Sequence, residues 1–115
     1  GFTLGGSLSL AAGETTQGFG GSVEVSSGAG DASSGAVYLR SAKGVSSGNI
    51  IASTGTASAG SSGDVHLQSG HSASRSGNVL LASGHSHSGS SGDVSLVAGS
   101  FTPAADEDVE TSADT

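Results

Sequence analysis

One phrase recurs along most of this chain and limits what it can fold into. In its clearest form it reads Gly63-Asp64-Val65-His66-Leu67-Gln68-Ser69-Gly70, followed by a Ser-rich spacer. Units open at Gly6, Gly21, Gly35, Gly48, Gly63, Gly77 and Gly92, at steps of 15, 14, 13, 15, 14 and 15 residues. So short a period forces a quasi-one-dimensional architecture and argues against an enclosed catalytic pocket.

Counting from each opening glycine, position 3 holds Leu8, Val23, Val37, Ile50, Val65, Val79 and Val94. Position 5 holds Leu10, Val25, Leu39, Ala52, Leu67, Leu81 and Leu96. Position 7 is always Ala, Ser or Thr, and position 4 varies from Ser9 to Leu80. Alternation with a period of two marks a half-buried strand, and β-branched residues at position 3 suit a pleated surface. Positions 3, 5 and 7 are therefore expected to face inward. Glycines at both ends of each phrase predict turns that need positive φ or a close backbone approach. The spacers, such as 56–62, have room for a second, shorter extended segment, Thr56-Ala57-Ser58 for example. No stretch has helical periodicity.

This pattern predicts an all-β fold: a β-solenoid of about seven coils of 13–15 residues. Parallel stacking at ~4.8 Å would give a rod about 33 Å long. An antiparallel meander, or a β-sandwich built from the same strands, is the alternative. Position 2 reads Asn49, Asp64, Asn78 and Asp93. That alternation keeps bare carboxylates off adjacent strands, where like charges destabilise. It also implies a two-unit super-period, which suits a meander. Three regions are expected: 1–5 as a strand or subunit contact, 6–99 as the repeat, and 100–115 as a partly flexible acidic tail. Phe2 and Phe101 would either plug the ends or meet a neighbouring subunit.

Composition narrows the functions. With 21 Gly and 33% hydrophobic residues, the apolar stripe is thin for a self-sufficient core. Contact with further copies would supply the missing burial. The net charge is -7, yet residues 1–100 hold Glu14, Glu24, Asp31, Asp64 and Asp93 against Arg40, Lys43 and Arg75. No basic patch exists to neutralise phosphates, so nucleic acid is not an expected partner. Without Cys there is no disulfide framework. No apolar run approaches the ~20 residues that cross a membrane, so membrane insertion is not expected, and no signal peptide is evident. The chain holds no Met and begins at Gly1, which reads as a processed product or a segment of something longer.

Few residues carry candidate chemistry. His71 and His85 share position 9 of successive units, with His87 two residues on. They could bind Zn²⁺ or Cu²⁺, respond to pH by mutual repulsion, or be solvated spacer residues. His66 lies at an outward position elsewhere. Asp64 and Asp93 follow Gly directly and recur at 29 residues, unlike the nonapeptide calcium β-roll. No nucleophile elbow or paired catalytic carboxylates are present. The chain is expected to be non-enzymatic, with no catalytic residues, cofactor or committed metal site. Asn49-Ile50-Ile51 and Asn78-Val79-Leu80 both fail as N-glycosylation sequons, whereas the hydroxyl-rich spacers suit O-linked glycans.

The phrase Ser-Gly-Asp-Val-x-Leu-x-Ser-Gly resembles Gly/Ser-rich repeats of phage tail-fibre-like proteins and of extracellular algal proteins. The units within residues 48–99 carry the likeness best, and it covers most of 6–99. The resemblance implies an extended β-rich fibre or surface element on a cell or virion, and it carries no functional residues across. The expected function is a structural subunit or segment of an extracellular fibre, assembled through β-stacking of copies along Val65, Leu67, Val79, Leu81, Val94 and Leu96. An ice- or glycan-binding module is one alternative, and a His-based metal-binding module is another.

Overall fold

The computed structural model describes residues 1–103. The acidic residues from Asp106 onward, and the flexible tail expected of them, lie outside the described residues. The backbone divides into two units, Gly1–Ser53 and Thr54–Thr115. Neither contains a helix or a strand among the described residues.

Each unit is extended, coil-like chain interrupted by regularly placed bends. In the first unit the bends fall at residues 16–18, 31–32 and 44–46; in the second, at 58–60, 73–74 and 87–89. Every bend lies in a spacer, and none falls within a Val/Leu phrase. The repeat therefore sets where the chain turns, although it forms no regular ladder.

This corrects the expected architecture. The all-β solenoid is absent, and so are the meander and the sandwich. Close approaches are nearly all between residues fewer than 12 apart, whereas stacked coils would bring together residues 13–15 apart. The physical reason lies in the spacers. A coil must enclose its stripe with a second apolar wall, and Gly, Ser and Ala provide none. Positions 3, 5 and 7 consequently have no interior to face: no described hydrophobic residue is buried. Phe2-Thr3-Leu4 forms no strand. Phe2 and Phe101 plug nothing, being 107% and 88% exposed. Residues 56–58 form no second strand; the chain bends from 58 onward.

The glycines also behave differently from expectation. Among the described residues the left-handed region is entered only at Gly18, φ 123°, inside the first spacer. The opening glycines of the phrases have no such φ. Several of them serve a close approach instead.

Candidate self-association surface

Five of the six spacer bends involve position 10 of their unit; in the unit opening at Gly48 that position is Ala57. In three units position 10 is a hydroxyl that accepts a backbone N–H just ahead. Thr15 Oγ1 accepts from the Gln17 amide at 3.2 Å, Ser72 Oγ from Ser74 at 3.2 Å, and Ser86 Oγ from Gly89 at 3.1 Å. Small hydroxyl side chains favour such local turns over regular structure. In two further units position 10 is glycine, and the reason is steric. A methyl group on Gly30 would collide with the Ser33 carbonyl oxygen, and one on Gly44 would lie 2.7 Å from that of Ser46. Alternation within the phrases does not reveal this position, which lies outside them in the spacer. Alignment of the spacers from the opening glycine would have exposed it, as Thr15, Gly30, Gly44, Ser72 and Ser86 fall in one column.

The bends let the ends of a spacer meet. The Gly21 amide donates to the Gly13 carbonyl at 2.9 Å, and the Gly35 amide to that of Gly28 at 2.9 Å. In both cases the opening glycine of one phrase reaches position 8 of the phrase before. The same neck recurs as contact with position 7. A methyl group on Gly63 would lie 3.6 Å from Thr54 Cγ2, and one on Gly77 would lie 3.7 Å from Ser69 Cβ. The spacers thus behave as short loops with adjacent ends, of the Ω type. Ala12 and Ser69, both at position 7, are partly covered by these necks.

Between the necks the apolar phrases lie open. Val94 is the least exposed of the described large hydrophobic residues, at 47%. Val65, Leu67, Val79, Leu81 and Leu96 are all exposed as well. The two neck bonds are the backbone–backbone hydrogen bonds of the described residues, so the phrases' own N–H and C=O groups face solvent.

The polar side chains on the other face make loose pairs across one intervening residue. Asp64 Oδ2 lies 3.8 Å from His66 Nε2 with both side chains exposed. Water screens such a pair and leaves it little influence on stability. Arg40 lies over the Tyr38 ring, 5.0 Å from its centre. His71 follows Gly70 before one bend, and His85 and His87 flank and enter the next. No cluster of three or more His, Asp or Glu able to hold a metal forms among the described residues, so His71, His85 and His87 are not brought together as a ligand set. Nor is there a pocket among them. Among the described residues no helix is long and apolar enough to cross a membrane. No protein-family model, curated protein or solved structure matches the chain.

Proposed function

We propose that this chain is a structural segment of an extracellular fibre or surface appendage, non-enzymatic, and ordered by association with copies of itself. The observation that supports this reading is the open apolar row: Val65, Leu67, Val79, Leu81, Val94 and Leu96 are all exposed. A regular row of aliphatic residues, repeated seven times in an otherwise Gly/Ser-rich chain, has no use in a flexible linker. It has a use in a surface that meets the same surface on another copy. The Ser-rich spacers, looped out at their necks, would then form the hydrated exterior and offer sites for O-linked glycans.

Negative-stain microscopy of the concentrated full chain tests the reading. Filaments or fibrous bundles are expected. A chain that forms no assemblies at any attainable concentration overturns it.

A further inference from the structure

The repeat is not chemically uniform, and its variation has a pattern. In the units opening at Gly48 and Gly77, position 2 is Asn and position 4 is aliphatic. Residues 49–54 read Asn-Ile-Ile-Ala-Ser-Thr, and residues 78–83 read Asn-Val-Leu-Leu-Ala-Ser. Neither segment contains a charge, a proline or a glycine. In extended backbone successive side chains point to opposite sides. Ile51 therefore lies opposite Ile50, and Leu80 lies opposite Val79 and Leu81. Ile51 is 83% exposed and Leu80 86%. Each segment thus carries a large aliphatic side chain on its second face as well, Ile51 beside Asn49 and Ser53, and Leu80 beside Asn78 and Ala82. The unit between them carries Asp64 and His66 at the same positions, and the last unit carries Asp93 and Ser95.

An extended segment with large aliphatic side chains on both faces must be covered on both to take them out of water. Six-residue stretches without charge or proline, led by Asn, have the composition that pairs identical chains: the amides form ladders and the aliphatic side chains interdigitate. Charged residues placed between such stretches limit where pairing starts. The occupant best matched to an uncharged segment is its own twin. An oppositely charged protein finds nothing here to select, and an anionic membrane is disfavoured by a net charge of -7.

We infer that residues 49–54 and 78–83 are the two adhesive segments of the chain, each covered on both faces by the matching segments of further copies. This rests on the self-assembly reading above and adds where assembly begins. Two position-4 pairs on the full chain separate the claims. Ile51→Asp with Leu80→Asp places charge on the second face of the adhesive units. Ser9→Asp with Ser95→Asp adds the same charge at the same position of polar units. Sedimentation velocity over a concentration series reads the onset of assembly. The first pair is expected to raise that onset about tenfold or more, since a charge resists burial, while the second moves it less than about threefold. Wild-type-like assembly by the Ile51/Leu80 variant, or an equal loss in the Ser9/Ser95 variant, overturns the assignment and leaves the self-assembly reading standing. A wild-type chain that stays monomeric throughout overturns both.

Discussion

The amide of Gly21 donates to the carbonyl of Gly13 at 2.9 Å and closes the first spacer at its neck. A methyl group on Gly21 would lie 3.1 Å from the Gly13 nitrogen and 3.2 Å from Ala12 Cβ. A methyl group there would require the neighbouring residues to give by a few tenths of an ångström. Gly21→Ala is therefore expected to widen the neck and weaken the bond. The expected cost is about 0.5–1.5 kcal/mol, read as a roughly two- to tenfold faster amide exchange at residue 21. Gly48→Ala and Gly92→Ala, where an added methyl meets nothing within 4 Å, should leave exchange at the altered residue unaffected by any neck.

Position 10 makes a second prediction, in which two residue types fail differently. Ser86→Ala removes the acceptor of the Gly89 amide at 3.1 Å and leaves that amide to water. The bend should loosen without being displaced. Gly30→Ala drives a methyl group into the Ser33 carbonyl, so the backbone itself must move. Backbone chemical shifts should change over residues 31–34 in the Gly30 variant and stay confined to residues 86–89 in the Ser86 variant. Equal, minimal changes in both would contradict the steric account.

Leu81 lies in the apolar row and is 65% exposed. Leu81→Asp should abolish assembly, because a carboxylate cannot be buried between chains without a partner. Filaments that survive this change, seen by negative-stain microscopy, would count against the apolar row as the contact surface.

Asp64 and Asp93 are expected to act in the opposite sense. Asp64→Asn with Asp93→Asn removes the charges that separate the adhesive segments and makes all four of the last units uncharged at position 2. Assembly should begin at lower concentration and with a shorter lag in light scattering. The Asp64–His66 pair, at 3.8 Å and exposed, is too weakly held for its loss to offset this gain.

Tyr38 offers an internal probe. It is the single tyrosine in a chain without tryptophan, it is exposed, and it has Arg40 5.0 Å from its ring centre. Acrylamide should quench its fluorescence freely in dilute solution. Protection should grow with concentration as the phrase of Val37 and Leu39 is covered by other copies.

How far this was legible from sequence follows from what periodicity encodes. The opening glycines mark off the spacers in which every bend falls. They predict turns at the glycines themselves, whereas the chain bends within the spacers, where Gly and Ser favour turns at 16–18, 31–32 and the four that follow. Alternation at Val65 and Leu67 says that in extended backbone the two side chains share a face. It does not say what covers that face. Solenoid, meander and a copy from another chain all satisfy the same period of two, and only the missing second wall in the spacers discriminates among them. The contribution of Thr15, Ser72 and Ser86 was hidden for another reason. In a Ser-rich chain a single column of hydroxyls stands out only once Gly30 and Gly44, which have no room for a side chain, are placed in the same register.

The central claim is that the apolar phrases find their partners between chains. Amide hydrogen exchange of the full chain, followed from dilute to concentrated solution, tests it most directly. The account predicts that the amides of Val65, Val79 and Val94 exchange at unprotected rates when dilute and become strongly protected once assemblies form. Protection already complete in the dilute monomer, or none at any concentration, would contradict it.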